Sequence, residues 1–257
     1  ILLFYHKKVI YLEISVIASG SNGNCCMVED KSTAILVDAG KSGRQIERRM
    51  EELEKSMENV KAILLTHSHH DHIAGAGIIS RKYNIPLYLT DEVYSGAKLN
   101  LGNIKKKSFS LSKEFSIGSL KIKPVLTSHN VSSCGFVIGK FGIFTDTGIV
   151  TKQMEQEIPK LNSMLLESNH DIDMLINGHY PHFLKQWILS DKGHLSNIGA
   201  SSIIQNKGKN LSLVLLGHLS ENNNTIEIAS NTFKALVKRK IEHAVCSRDK
   251  STGTWKV

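Results

Sequence analysis

Four histidines and one aspartate stand within the segment THSHHDH at 66–72, directly after a short apolar run. The alternating residues His67 and His69 would point both imidazoles to one side of an extended loop, where they could share one ion. Asp71 and His72 stand at the turn into a following helix, where they could reach a second ion. Imidazole and carboxylate ligands at this spacing suit zinc, manganese or iron rather than calcium. The segment therefore predicts a metal centre rather than a polar surface loop.

Two neighbouring ions need more ligands than one loop can supply, so the rest of the chain must provide them. Three candidates each follow an apolar run of strand type: His129 after KIKPVLTS, Asp146 in TDTG and His218 in GHLS. A bridging carboxylate suits two ions about 3.5–4 Å apart, the spacing that clamps the attacking and leaving oxygens of a displacement. We therefore expect the following assignment: one ion held by His67, His69 and His129, the other by Asp71, His72 and His218, and Asp146 bridging both.

The composition is that of an ordinary globular protein with an excess of positive charge. The chain has 257 residues, of which 41% are hydrophobic and 22% are charged. This is enough for a sizeable core, and we expect a single domain over residues 1–257. The formal net charge of +8 favours a polyanionic partner such as nucleic acid. It carries no information on the oligomeric state.

Neither a disulfide framework nor a membrane segment is indicated. The four cysteines show no CxxC spacing, so we expect reduced thiols in a cytoplasmic protein. The N-terminal segment is apolar, but HKK at 6–8 and Glu13 interrupt it, which argues against a signal peptide and against a bilayer-spanning helix. We therefore predict an opening β-strand over Ile10–Ile17 and no membrane partner.

Strand-type and helix-type patterns follow one another without a repeat or a linker. Strand-rich halves that each end in helices predict an α+β sandwich of sheets flanked by helices. Helices are expected at 42–57, where four apolar residues form one stripe, and at 74–83, 151–158, 195–205 and 225–240. The predicted strands, rich in β-branched residues, are Ile10–Ile17, Ala34–Val37, Ala62–Leu65, Leu87–Leu89, Leu120–Val125, Phe136–Ile138, Gly142–Phe144 and Leu211–Leu216.

The order of these motifs resembles that of the metallo-β-lactamase superfamily over nearly the whole chain. In that superfamily HxHxDH follows a strand, and His, Asp and His stand at later strand ends. The resemblance implies a four-layer αββα sandwich, two divalent ions (zinc or manganese) and phosphodiesterase activity on nucleic acid, specifically a DNA exonuclease. Motifs similar to those of its YycJ-like (WalJ) branch are SGSNGN (19–24), LVDAG (36–40), TDTG (145–148), LESNHD (166–171), LSDKGHLSN (189–197) and GHLSENNN (217–224).

The resemblance also implies roles for residues outside the ligand set. By similarity, Glu167 orients His194, and His194 gives a proton to the leaving oxygen. The catalytic residues would then be Asp71, Glu167 and His194. Asp38 is expected to support a ligand or its loop through a hydrogen bond. Candidates for contact with the substrate or the ligands are Ser21, Asn22, Asn169 and His170.

Two alternatives to a nuclease are open at this stage. A small-ester or thioester hydrolase of the glyoxalase II type would have a narrow pocket beside the metals. A non-enzymatic, metal-stabilised regulatory protein would have a closed coordination shell without water. Asp146, which stands where β-lactamases of the superfamily commonly use a cysteine, and the short basic region after His218 favour a phosphodiesterase.

Four positions depart from the pattern of the YycJ-like branch. Asn130 follows His129 where an aspartate is common, so a supporting carboxylate is missing there. His179, His182 and Trp187 stand where relatives often have an arginine or another aromatic residue. We expect these changes to alter the grip on the substrate rather than the metal centre.

Overall fold

The computed structural model describes residues 11–257, in which fourteen strands form two seven-stranded sheets. The start of the expected first strand at Ile10 lies outside the described residues. In chain order the strands are β1 (Glu13–Ala18), β2 (Cys25–Glu29), β3 (Ala34–Val37), β4 (Val60–Leu64), β5 (Leu87–Leu89), β6 (Lys106–Ser108), β7 (Phe115–Ile117), β8 (Leu120–Leu126), β9 (Cys134–Ile138), β10 (Phe141–Phe144), β11 (Ser163–Glu167), β12 (Leu213–Gly217), β13 (Glu242–Val245) and β14 (Gly253–Lys256). The sheet orders are β14-β1-β2-β3-β4-β5-β6 and β13-β12-β11-β10-β9-β8-β7.

Helices cover the outer face of each sheet. Within residues 11–257 they are α1 (Gly43–Glu52), α2 (His70–Ile73), α3 (Ala76–Tyr83), α4 (Asp91–Leu101), α5 (Lys152–Glu157), α6 (Ile172–Asn177), α7 (His182–Ile188), α8 (Asn197–Lys207) and α9 (Ile226–Leu236). Apolar residues of α1, α3 and α4 pack on the first sheet, and those of α5, α8 and α9 pack on the second. None of these helices combines the length and the apolar character that crossing a bilayer requires.

Side chains of the central strands alternate between two apolar layers. In β3, Ile35 and Val37 face the core between the sheets, whereas Leu36 packs against the helices of the first sheet. In β11, Leu165 faces the core between the sheets and Leu166 faces the helices on the other side. Because both faces are covered, these strands appear in the sequence as continuous apolar runs. The layers are therefore αββα, and the predicted α+β sandwich is confirmed.

Several element boundaries differ from the sequence prediction. The helix expected over 42–57 ends at Glu52, because Glu54 adopts a left-handed backbone (φ 57°) that stops it. The helix expected over 74–83 begins at Ala76, and the short helix α2 precedes it. Strands β2, β6, β7, β11, β13 and β14 and helix α7 have no counterpart in the predicted set, because short runs show no clear period. Helix α4 was not predicted either.

Six strands bring their carboxyl ends to one end of the sandwich. In the second sheet β10, β11 and β12 run parallel, and β8 shares their direction because it is two antiparallel steps from β10. In the first sheet β4 runs parallel to β3. The loops that follow these strands therefore meet, and they carry the polar residues singled out above.

Candidate metal centre

The loops at this end of the sandwich bring the seven predicted ligands together. Three groups of four side chains each place their ligand atoms within 4.8 Å of one another, and Asp146 belongs to all three. Two of them, here called the ligand groups, have the division expected from the sequence, while metal coordination by these residues stays a prediction. The first ligand group is His67, His69, His129 and Asp146, and the second is Asp71, His72, Asp146 and His218. The third group joins Asp146 and His218 to Glu167 and His194.

Three side chains of the centre belong to residues with a left-handed backbone. Asp38 (φ 60°), Asp146 (φ 53°) and His218 (φ 57°) lie just after β3, β10 and β12. For a residue other than glycine this conformation costs about 1–2 kcal/mol. The sharp turn directs each side chain into the centre, and strain of this kind collects at functional sites.

Carboxylates outside the two ligand groups fix the orientation of two histidines. His72 Nδ1 lies 2.7 Å from Asp38 Oδ2, and His218 Nδ1 lies 2.7 Å from Glu167 Oε1. An ionised carboxylate can only accept, so each Nδ1 carries the proton and donates it. When the ring is neutral, each Nε2 presents a lone pair toward the other ligands, and histidines in metal sites commonly donate their second ring N–H in this way.

His67 and His129 are oriented by other partners. His67 Nδ1 lies 3.0 Å from Thr66 Oγ1, and that hydroxyl already donates to a buried carboxylate, so it accepts from His67. His129 Nδ1 donates to the carbonyl oxygen of Gly193 at 3.3 Å. Asn130, expected above to depart from the pattern of the branch, is exposed. A backbone carbonyl, rather than the neighbouring side chain, therefore orients His129.

The buried polar atoms in the middle of the centre fit the requirements of a cation. His67 Nε2 and Asp146 Oδ2 have no hydrogen-bond partner among the described residues. His72 Nε2 lies 3.0 Å from Asp146 Oδ2, and both atoms present lone pairs when Nδ1 of His72 holds the proton. Burying several lone pairs that point at one another without a donor is unfavourable, and a cation bound between them would remove that penalty. The nitrogen and carboxylate ligands suit divalent zinc or manganese.

The carboxylates of the centre also require positive charge beside them. Burial lowers the pKa of His218, but Asp146, Asp71 and Glu167 outweigh burial and raise it to about 10. The same balance of burial against carboxylates raises the pKa of His72 well above its ordinary value. The required positive charge can come from protons or from divalent ions, and ions displace the protons when they bind.

Glu167 joins this centre to His194. It is fully buried at the end of β11, and its Oε1 accepts from Nδ1 of His194 (2.8 Å) as well as from His218. Its Oε2 accepts from the backbone N–H groups of Thr147 (2.8 Å) and Leu195 (3.1 Å). Burial raises the pKa of Glu167, but the two histidines lower it to about 2, so it is a carboxylate at neutral pH. His194, 14% exposed, is the member of this unit that reaches solvent.

Asn24 belongs to the centre, and the sequence prediction missed it. SGSNGN directed attention to Ser21 and Asn22, but both are exposed, and neither side chain makes a hydrogen bond within the described part of the chain. Asn24 is buried, and its Oδ1 accepts from a backbone N–H of its own turn (3.0 Å). This directs Nδ2 toward Asp71 Oδ2 (3.4 Å) and His72 Nε2 (3.0 Å). The sequence offered no signal that separates Asn24 from Asn22, because β2, which Asn24 precedes, was not predicted.

A close backbone contact holds Asp71 against the loop after β3. The N–H of Gly40 donates to the carbonyl of Asn24 (2.8 Å), and the N–H of Asn24 donates to the carbonyl of Asp71 (2.8 Å). A Cβ atom on Gly40 would lie 1.6 Å from the Asp71 carbonyl oxygen. Only glycine fits there, so this glycine sets the position of a predicted ligand.

Asn169 and His170 are both buried. Asn169 Nδ2 donates to the backbone carbonyl of His218 (2.8 Å), so it supports the strained turn there. Both ring nitrogens of His170 are buried without a hydrogen-bond partner in residues 11–257, and burial lowers its pKa to about 4. His70 is exposed at the start of α2, outside both ligand groups.

The segment before His194 contains the other departures from the pattern of relatives. His179 and His182 are exposed and lie outside both ligand groups. Trp187 of α7 lies beside His194, with ring centroids 5.3 Å apart. An aromatic residue therefore borders the centre, whereas the two histidines face solvent.

Comparison with known proteins agrees with this geometry. The profile of the beta-lactamase superfamily domain matches residues 33–218. The exodeoxyribonuclease WalJ of Streptococcus pneumoniae is 37% identical over 234 residues, which cover 87% of each chain. The exodeoxyribonuclease YycJ of Bacillus anthracis is 34% identical over 241 residues, 89% of this chain and 90% of that protein.

Other similarities are limited to the fold or to part of the chain. The metallo-beta-lactamase fold protein YhfI of Bacillus subtilis superposes with a TM-score of 0.74 at 17% identity, over 96% of this chain and 100% of YhfI. A hydroxyacylglutathione hydrolase of Tolumonas auensis is 35% identical, but over 72 residues that cover 28% of this chain and 27% of that enzyme. On the match over 33–218 and the two long alignments, this chain belongs to the beta-lactamase superfamily.

Proposed function

We propose that this protein is a metal-dependent phosphodiesterase that degrades DNA as an exonuclease. The observation that carries the proposal is the pair of ligand groups that share Asp146, with His194 held beside them by Glu167. Similarity over most of the chain to two exodeoxyribonucleases supports this reaction, and it supports DNA over RNA. The net charge of +8 suits a polyanionic substrate.

The chain's own residues would hold two divalent ions, zinc or manganese, at this centre. Two such ions supply Lewis-acid polarisation of a phosphate and a nucleophilic water near neutral pH. Asp38 and Glu167 keep two of the histidines in the tautomer that presents Nε2. The proposed ligands are His67, His69 and His129 for one ion, Asp71, His72 and His218 for the other, and Asp146 for both.

His194 is the proposed proton donor to the leaving group. Water gives up one proton to solvent, and the resulting hydroxide forms a bond to phosphorus as the bond to the sugar oxygen breaks. That oxygen leaves as an alkoxide and takes a proton from Nε2 of the His194 imidazolium, whose other proton stays on Nδ1. Glu167 accepts from Nδ1 of the same ring, so it fixes the orientation that aims Nε2 away from the protein interior. Glu167 therefore acts as a positioning residue, and His194 is the catalytic acid.

The alternatives have less support. The similarity to a hydroxyacylglutathione hydrolase covers about a quarter of the chain, whereas both exodeoxyribonucleases are similar over most of it. A purely structural metal site has no use for the buried Glu167 and the partly exposed His194 beside it. We also propose a cytoplasmic location, which four buried and unpaired cysteines support.

A cleavage assay tests the proposal. End-labelled duplex DNA, single-stranded DNA and RNA are incubated with the protein and Mn²⁺ or Zn²⁺, and the Asp146→Ala variant is the control that removes the shared carboxylate. We expect stepwise shortening of DNA that the variant loses. No cleavage with either metal, or cleavage that survives Asp146→Ala, would refute the proposal, and cleavage of RNA alone would correct the substrate.

A further inference from the structure

Helix α7 presents two aromatic side chains at the edge of the metal centre. Phe183 is 73% exposed, and Trp187 is partly exposed one helical turn later. Residues four apart lie on the same face of a helix, with Cβ atoms about 5–6 Å apart. We propose that this pair, here called the α7 platform, stacks unpaired bases of the nucleic-acid strand next to the bond that is cut. The inference rests on the proposed nuclease function and specifies the part of the substrate that is recognised.

The platform is continuous with the catalytic groups. The Trp187 ring centroid lies 5.3 Å from that of His194, with the rings perpendicular, and 6.2 Å from that of His129. A phosphate at the centre therefore places its own nucleotide within reach of Trp187. Phe183, one turn farther along α7, then lies beside the next nucleotide outward. The platform thus extends the site along the strand instead of forming a separate surface.

Hydrogen bonds fix the position of α7 relative to the centre. The N–H of His194 donates to the carbonyl of Ile188, the last residue of α7, at 2.9 Å. The next carbonyl before His194, that of Gly193, accepts from His129. At the other side, the Lys185 ammonium donates to two backbone carbonyls at the end of α6, each at 2.7 Å. The same short loop thus positions the proton donor, a predicted ligand and the aromatic pair.

The chemistry of the platform selects unpaired bases. A phenyl ring that is 73% exposed buries little apolar area in the folded chain, so packing does not account for it. Aromatic rings bind single strands by stacking on base faces, which is tolerant of sequence. Bases within a duplex have both faces covered by their neighbours and do not offer them.

Kinetics of single variants test the platform. Phe183→Ala and Trp187→Ala are compared with the control variant Tyr11→Ala. Tyr11 is also an exposed aromatic residue (63%), but it lies before the amino end of β1, whereas the metal centre lies at the carboxyl ends of the strands. Each is assayed on single-stranded DNA and on bis(p-nitrophenyl) phosphate, which has no base. We expect the ratio of the two kcat/KM values to fall about 5- to 100-fold in either α7 variant, mainly through KM, and to stay constant in Tyr11→Ala. Trp187→Phe should recover most of the loss.

Fluorescence reports stacking directly and separates the two proposals. The chain has two tryptophans, so Trp255→Phe leaves Trp187 as the single reporter. We expect a phosphorothioate oligothymidylate to quench Trp187 and a blunt duplex to quench it far less. If the wild-type protein degrades DNA but the α7 variants behave like Tyr11→Ala and no quenching occurs, the platform is refuted and the nuclease stands. If the wild-type protein cleaves no nucleic acid, the nuclease proposal fails and the platform with it.

Discussion

Glu167→Gln is the substitution that probes the centre most sharply, because it keeps the shape of a buried residue and changes one acceptor into a donor. The carboxylate accepts four hydrogen bonds, two through Oε1 from His194 and His218 and two through Oε2 from backbone N–H groups. A glutamine must turn its NH₂ group toward one of these pairs. In either orientation two donors face a donor in a fully buried site.

The expected cost follows from this count. A hydrogen bond to a charged group contributes about 1.5–3 kcal/mol, so two lost bonds correspond to about 3–6 kcal/mol before relaxation. The imidazoles can change tautomer and recover part of this, and we predict a loss of about 3 kcal/mol in the free energy of unfolding. The tautomer change moves the proton of the neutral His194 ring from Nδ1 to Nε2, and the amide no longer stabilises the imidazolium, which must carry a proton on both nitrogens to act as the acid. Replacing the carboxylate of a Ser-His-Asp triad by an amide costs about 10⁴-fold, and we expect a fall of about 10³-fold in kcat here.

Urea unfolding and DNA cleavage of purified Glu167→Gln give both quantities. Glu157→Gln is the matched control, since Glu157 is also buried and ion-paired, with Lys123 and Lys160, but lies on α5 outside the centre. The control should lose some stability and keep its kcat within about twofold. If Glu167→Gln cleaves DNA at the wild-type rate, Glu167 does not position His194 and the proposed acid is wrong.

Three further outcomes follow from the structure. In Gly40→Ala a methyl group would lie 1.6 Å from a backbone carbonyl of the ligand loop, so we expect kcat/KM to fall at least tenfold (about 1.4 kcal/mol). The control Gly43→Ala, whose added methyl group would have its nearest contacts at 3.5 Å, should remain active. Lys55 bonds both Glu13 and Glu29, which face each other across β1 and β2, so Lys55→Met should cost about 1–2 kcal/mol in urea unfolding at pH 7. Lys55 lowers the pKa of Glu13, so the stability that the ion pair contributes is present above about pH 4.5 and should shrink as the pH falls through the lower pKa of the folded state. If Lys55→Met costs the same stability at pH 3 as at pH 7, the ion pairing is contradicted. Burial raises the pKa of all four cysteine thiols, so iodoacetamide at pH 8 should modify none in the folded protein and all four in urea, counted by mass spectrometry.

The convergence of the ligands could be predicted because each one directly follows an apolar run. Parallel strands of one sheet bring their carboxyl ends to one edge, so residues as distant in sequence as Asp146 and His218 meet there. The alternation that places Leu36 and Val37 in different layers is likewise set by the two-residue period of a strand. These features depend on local pattern and on the direction of the strands, and both can be inferred from sequence.

Other features depend on contacts that no local pattern encodes. Asn24 supports Asp71 and His72 only because the glycine turn before β2 packs against the ligand loop, so SGSNGN alone could not distinguish it from Asn22. Helix α1 is shorter than its apolar stripe suggests, because Glu54 turns the chain so that Lys55 reaches two glutamates. In both cases a tertiary contact overrides the local preference.

Anomalous diffraction from crystals of the protein grown with Mn²⁺ or Zn²⁺ tests the central claim most directly. We predict two peaks per chain, one among the nitrogens of His67, His69 and His129 and one beside Asp71, His72 and His218, with Asp146 in contact with both. A single peak, or peaks away from Asp146, would contradict a two-metal phosphodiesterase whatever activity the preparation shows.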